Sequence, residues 1–484
     1  MTKKAVFIIL ILILAFALLC SCKAKEVKLT KYTIEMVLDS EDMKIYACES
    51  VIYTNNSDTA LNTLKFHLYP DAFSEDAETP PVTERHINSA YYDGMSYGGI
   101  DIIRVEINGK AVAFCEDNQL LEVDIPELKP NEQIELNMRY HLDLPKVKHR
   151  FGYNDFTVNL ANFYPIACML EDNSFREESY CSLGDPFHSE LADYEVKLKA
   201  DNDYLIAATG EITKKSVNVN TSSYIFKAER VRDFAMVLSK EFRLITEEWN
   251  GKAVNYYYYQ DAEPEKSLKQ AVTALKTFSA VLGEYPYSTY NVVETEFAHG
   301  GMEYPQLVYI SSSLTDLREK VIAHETAHQW MYGLIGSDAI KEAWIDEGLT
   351  EFLTALYFLE TDREDEMKKM INESYNSYAA FINIQVPLQL KQDTSMNRAL
   401  NEYQSEFEYV NMVYTKGMLM FNTIYEIQGR KRFMKCLNKL YDNHLFKTVS
   451  GEDIINIFSE GNKAVRGVFE AWLNGKVVIT TFYN

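Results

Sequence analysis

Val321 to Gly333 reads V-I-A-H-E-T-A-H-Q-W-M-Y-G and sets His324 and His328 four residues apart around Glu325. On a helix, side chains at i and i+4 share one face, so two imidazoles can hold one ion while Glu325 turns to its flank. The apolar residues around the motif predict that helix from about Ser313. Taken alone, H-E-x-x-H also fits a solvated His/Glu helix face. The next segment, Trp344 to Glu351, reads W-I-D-E-G-L-T-E and extends the pattern to H-E-x-x-H-x18-E. Glu347 then supplies a third ligand. A His2Glu set leaves one position of a tetrahedral zinc for water, which is the arrangement of a catalytic site rather than a structural one. Gly348 would permit close helix packing, and an ordinary glycine interruption explains it as well. Glu351, one turn beyond Glu347, either accepts a hydrogen bond from a ligand imidazole or sits exposed on its helix.

Upstream of this centre the text changes period. From Lys28 to about Phe242, apolar residues alternate with polar ones, as in Tyr32, Ile34, Met36 and Leu38, and Gly, Asn, Asp and Pro punctuate the runs. This predicts one large antiparallel β domain over residues 26–245. After Asn250, Leu268, Val272, Leu275 and Leu282 recur at helical spacing between Glu265 and Gly283, and helices are expected to dominate residues 246–484. The fold class is therefore α+β, an N-terminal β domain followed by a mainly helical catalytic domain.

Residues 1–25 read as an address. Lys3 and Lys4 precede an apolar run from Ala5 to Leu19, which predicts a secretory leader too short to cross a roughly 30 Å hydrocarbon core comfortably. Leu19, Cys20, Ser21 and Cys22 resemble the bacterial lipobox, with Cys22 as the lipidated thiol; an uncleaved N-terminal helix is the alternative. Both place the remainder outside the cytoplasm, and the first anchors it to the bacterial cell membrane as a lipoprotein.

Composition narrows the class further. With 47% hydrophobic and 25% charged residues, the 484-residue chain is globular rather than disordered. Its net charge of −23 repels phosphate backbones, which excludes nucleic-acid binding by bulk electrostatics. Cys48, Cys115, Cys168, Cys181 and Cys436 are scattered and odd in number, so buried thiols are expected rather than a disulfide framework, Cys168–Cys181 included.

Two outlying motifs complete a resemblance. Gly300, Gly301, Met302, Glu303 and Tyr304 precede the metal motif, and Tyr414, Thr415, Lys416 and Gly417 follow it. With H-E-x-x-H-x18-E, their order and spacing resemble the membrane alanyl aminopeptidase family of gluzincin metallopeptidases, whose G-x-M-E-N and Y-x-K-G motifs they match. Asn162 to Pro165, Leu183 to Phe187 and Arg232 to Ser239 also resemble stretches of that family's β domain. The resemblance implies a thermolysin-like catalytic domain that binds one Zn2+ through His324, His328 and Glu347. It also implies Glu325 as general base, Tyr414 as donor to the oxyanion, and Gly300, Gly301, Met302 and Glu303 as substrate-binding residues. In that scheme Glu303 pairs with the protonated amine of a peptide's free N-terminus, and the glycines let substrate backbone lie against the loop. His299 has no assigned role beyond a local hydrogen bond.

The sequence departs from the family at Tyr304, where Asn is usual, and it shows no acidic or amide partner for the amine from the β domain. It ends at Asn484, soon after Gly417, so an open cleft that admits longer peptides is expected. The leading expectation is a zinc aminopeptidase. A zinc endopeptidase or other hydrolase on the same site, and a catalytically inactive peptide-binding surface lipoprotein, remain the alternatives.

Overall fold

The computed structural model describes residues 28–385 and 393–483. The alternation read in the first strands becomes an eight-stranded sheet. In spatial order its strands are Glu211–Val217, Thr221–Val231, Ala192–Asp201, Thr30–Asp39, Lys44–Thr54, Gln133–Asp143, Gly99–Ile107 and Lys110–Ala111. Every second residue of Thr30–Asp39 is buried, as a half-covered strand requires. The sheet is not wholly antiparallel: Thr30–Asp39 runs parallel to Ala192–Asp201, with Ile34 opposite Val196. Alternation fixes which face a residue occupies but not the direction of its neighbour, so this pairing was beyond a period-two reading. Two four-stranded sheets cover the inner face and enclose a core that includes Tyr32, Phe66, Tyr164 and Phe226.

The strand Arg243–Trp249 crosses the expected boundary after residue 245 and opens a five-stranded sheet within the region where helices were expected to dominate. In this sheet Lys252–Tyr258, Thr289–Thr295 and Leu307–Ser311 are parallel neighbours, and Gly301–Met302 forms the antiparallel edge. The helix Pro264–Val281 connects two of the parallel strands, as a crossover must. Proline at its first turn needs no N–H partner, and it ends just short of Gly283, whose φ is +154°. Its apolar stripe packs with the later helices around Trp330, Trp344, Phe352 and Phe421.

A third cluster lies between the two regions. Ala161, Ala207, Val237, Phe242, Tyr257, Phe297 and Tyr309 interleave there, so the β domain and the catalytic region share buried apolar surface. Among the described residues no helix is long and apolar enough to cross a membrane. Cys48, Cys115, Cys168, Cys181 and Cys436 are all free thiols, but only Cys168 and Cys436 are buried as expected, whereas Cys48 and Cys115 are exposed. Cys22 lies outside the described residues.

Candidate active site

The helix Arg318–Ala327 carries His324 and Glu325, and His328 follows as its C-cap. It starts later than Ser313 because Ser311 and Thr315 accept in successive turns that precede it. His324 Nε2, His328 Nε2 and Glu347 Oε2 stand 3.2 Å from one another. Ligands about 2.0–2.2 Å from a tetrahedral zinc are separated by about 3.3–3.5 Å, so the triangle fits one ion with little adjustment. The outer nitrogens support the same conclusion. His324 Nδ1 meets Glu351 Oε2 at 3.1 Å, and His328 Nδ1 meets Asp346 Oδ1 at 3.0 Å and the Met331 carbonyl at 3.0 Å. With both Nδ1 protons so engaged, both Nε2 lone pairs face the centre, an arrangement that a cation satisfies and a hydrogen bond does not. The residues therefore fit zinc. Glu351, 9% exposed, is the imidazole partner and not a solvent-facing carboxylate, and Lys320 Nζ holds its other oxygen at 2.6 Å.

Glu347 and Tyr414 lie on π-helical turns, Trp344–Gly348 and Val410–Lys416, rather than on regular α-helix. The two turns cross where Gly348 and Gly417 touch. A Cβ on Gly417 would sit 2.7 Å from the Gly348 Cα, and one on Gly348 would sit 3.0 Å from the Gly417 Cα. That closeness lets the Tyr414 hydroxyl donate to Glu347 Oε1 at 2.5 Å. Burial and the adjacent Glu347 push the Tyr414 pKa well up, so the phenol keeps its proton. Burial also pushes Glu347 up, but His328 and His324 pull it well below the usual carboxylate range.

Burial raises the Glu325 carboxyl to about 7 against the pull of His324 and His328, and its Oε2 has no partner. Its position depends on Gly301, where a Cβ would lie 2.4 Å from Glu325 Oε1; Gly300 has ordinary space, with Val321 3.6 Å away. The glycine that matters thus makes room for the carboxylate. The strand Gly301–Met302 forms the sheet edge along the cleft, and Met302 is buried. Glu303 is 4% exposed with Oε1 unpartnered. Burial and the charge of Asp185 raise its pKa well above the usual range. Tyr304 turns inward against Tyr309, and Gln329 bonds its carbonyl at 3.1 Å while accepting from the Gln306 N–H at 2.7 Å. The residue after His328 therefore fixes the loop that carries Glu303.

A cleft of about 480 Å³ joins these groups, with Glu303, His324, Glu325, Glu347 and Tyr414 in its lining. Asp185 and Arg150 enter it from the β domain, paired at 3.1 Å. Burial raises Asp185 to about 6 although Arg150 opposes it. His299 lines the cleft as well, but it packs on the rings of His86, His149 and Phe297 and makes no side-chain hydrogen bond among the described residues.

Residues 267–472 match the model of the peptidase family M1 domain. Over those residues the chain is similar to a peptidase family M1 domain. Aminopeptidase N of Lactococcus lactis subsp. lactis is 22% identical over 384 residues, which cover 70% of this chain and 44% of the relative. Leukotriene A-4 hydrolase of Xenopus laevis is 27% identical over 208 residues, 40% of this chain and 32% of its own. The chain thus spans less than half the length of these curated relatives. A crystal structure of an M1 zinc metallopeptidase from Deinococcus radiodurans aligns with a TM-score of 0.65 at 15% identity, over 94% of this chain and 96% of that one. At that identity the likeness is one of fold.

Within the M1 domain the sequence reading overlooked Asp346 and Gln329, although both adjoin a ligand in sequence and could have been tested as its support. Asp185 lies in the Leu183–Phe187 stretch that resembles the family's β domain, yet nothing in its local sequence marked it as the acidic group from that domain. It stands far upstream, and only the packing of the β domain against the M1 domain brings it to the cleft.

Proposed function

We propose that this chain is a zinc-dependent aminopeptidase that removes N-terminal residues from peptides, held outside the bacterial cytoplasmic membrane by lipid on Cys22. The M1 match and the relative named aminopeptidase N support the activity, and a Deinococcus neighbour was solved with a Tyr-Ser-Ala substrate. The leader and its lipobox-like cysteine support the address.

Glu303 carries the exopeptidase reading. Its buried carboxyl, whose Oε1 has no partner among the described residues, lines the same cleft as the metal ligands, where ionising it without a partner is costly. A peptide's α-ammonium satisfies it with a charge-assisted hydrogen bond, and Asp185 adds a second carboxyl from the β domain. The free edge of Gly301–Met302 offers backbone groups to an extended peptide.

When bound, the zinc ion supplies Lewis acidity, polarising the scissile carbonyl and acidifying water. Glu325 takes the proton of the attacking water and returns it to the leaving amine, and its burial favours holding that proton in between. Tyr414 turns its proton from Glu347 Oε1 to the oxyanion that develops as the carbonyl rehybridises, a donor worth on the order of 3 kcal/mol. The decisive measurement compares an aminoacyl-peptide with its N-acetylated form. Acetylation removes the cation and is expected to lower kcat/KM about a hundredfold or more; equal rates would refute amine recognition.

A further inference from the structure

A second group of ligand-type side chains meets beside the same cleft, whose wall includes two of them, His299 and Glu406. His86 comes from the β domain, His299 from the residue before the Gly300–Glu303 loop, and Glu406 from the start of the short helix Glu406–Tyr409. We propose that His86, His299 and Glu406 form a second zinc-class metal site that clamps the β domain to the M1 domain. One ligand atom from each lies within 4.8 Å of the other two, and His86 Nε2 stands 3.0 Å from Glu406 Oε1. Drawing them onto a tetrahedral ion takes side-chain shifts of about an ångström.

The surroundings prepare the set. Thr83 Oγ1 donates to Glu406 Oε2 at 2.5 Å and leaves Oε1 directed at His86. The His299 ring lies 4.6 Å from that of His86 and is backed by His149 at 5.6 Å. His299 is half-buried and makes no side-chain hydrogen bond among the described residues, so its imidazole is open to an ion entering from solvent. The facing cations leave room. Arg85, 4.0 Å from Glu406 Oε1, is 66% exposed and can swing into solvent, and Arg150 is committed to Asp185. Two imidazoles and a carboxylate suit Zn2+ or Co2+ better than Ca2+ or Mg2+.

Because the three residues come from distant parts of the chain, an ion there would bind the folded assembly and not the unfolded chain. The test is equilibrium dialysis of the purified protein against graded Zn2+, with bound metal counted by mass spectrometry and the thermal midpoint followed in parallel. Wild type is expected to saturate at two equivalents, the weaker of which raises the midpoint. His86→Gln and His299→Gln should each bind one equivalent fewer and lose that rise, while Ca2+ and Mg2+ produce neither. No difference in count between wild type and either variant overturns the proposal. The readout is metal content rather than turnover, so it is independent of the aminopeptidase reading.

Discussion

Glu325 and Glu49 are both buried carboxyls, and their surroundings give them opposite consequences. Glu325 faces a cleft, next to two imidazoles whose Nε2 atoms are reserved for metal, so its proton affinity near neutrality serves transfer. Glu325→Gln keeps the shape and the ligands but cannot accept a proton. It is expected to retain one zinc per chain at the catalytic set and to lose about 100- to 10,000-fold in kcat, measured on a fluorogenic aminoacyl amide. Glu49 instead points into the β core at 1% exposure, and neither oxygen finds a hydrogen-bond partner among the described residues. Burial pushes its pKa well above the usual range, with Tyr140 pulling the other way. The folded chain therefore holds a proton that the unfolded chain releases above about pH 4.5. In that window the unfolded state binds fewer protons, and stability falls with rising pH by up to about 1.4 kcal/mol per unit until the native pKa is passed. Glu49→Gln should remove this slope, raising the melting temperature at pH 8 while leaving it nearly unchanged at pH 4. A parallel offset at both pH values would contradict the assignment.

The crossing of the two π-turns sets the relation between a ligand and a proton donor. Because Gly417 meets the Gly348 backbone, Gly417→Ala puts a methyl group where nothing flexible can yield. The turns must separate, and the 2.5 Å contact between Tyr414 and Glu347 opens with them. The expected result is a folded protein that loses about 1–3 kcal/mol of stability, as overpacking does, and at least tenfold in kcat. Zinc content should change little, since His324 and His328 lie on another element. Normal kcat in the alanine variant would sink this coupling. The same elements show what a sequence can and cannot disclose. His324, His328 and Glu325 were legible because helical spacing places them locally, and Glu347 because it follows in the next helical segment. The π-turns were not, since they arise where two glycines far apart in the chain come into contact. For the same reason alternation disclosed the faces of Thr30–Asp39 but not its parallel neighbour. Glu351 had two readings at the sequence level, and only the orientation of His324 chose between them.

At the scale of the whole molecule, the cleft exists because two regions are held in one relation, and Arg232 is a principal tie. It is 4% exposed, and it follows the strand Thr221–Val231 of the β domain. Its guanidinium donates to the carbonyls of Tyr332 at 2.9 Å, Ser189 at 3.2 Å and Lys447 at 2.8 Å. Two of these acceptors belong to the M1 domain, next to the paired segments Ile335–Gly336 and Lys447–Thr448. Gly336 adjoins the guanidinium so closely that a Cβ there would fall 2.1 Å from its central carbon. Among the described residues no carboxylate pairs with it directly, so the three carbonyls replace its hydration. Arg232→Leu keeps part of the apolar contact but strands those carbonyls in a dry interface. Each costs about 1–3 kcal/mol, and partial access of water should hold the total to roughly 2–5 kcal/mol. The shared apolar cluster at the domain boundary still packs, so the variant should fold. Its calorimetric trace is expected to shift to lower temperature and to broaden or split as the regions uncouple. Turnover should fall through KM, because Asp185 and the β-domain wall of the cleft move relative to Glu303 while the metal ligands stay within one domain. An unshifted, single transition with unchanged KM would show that the apolar cluster alone holds the two regions together.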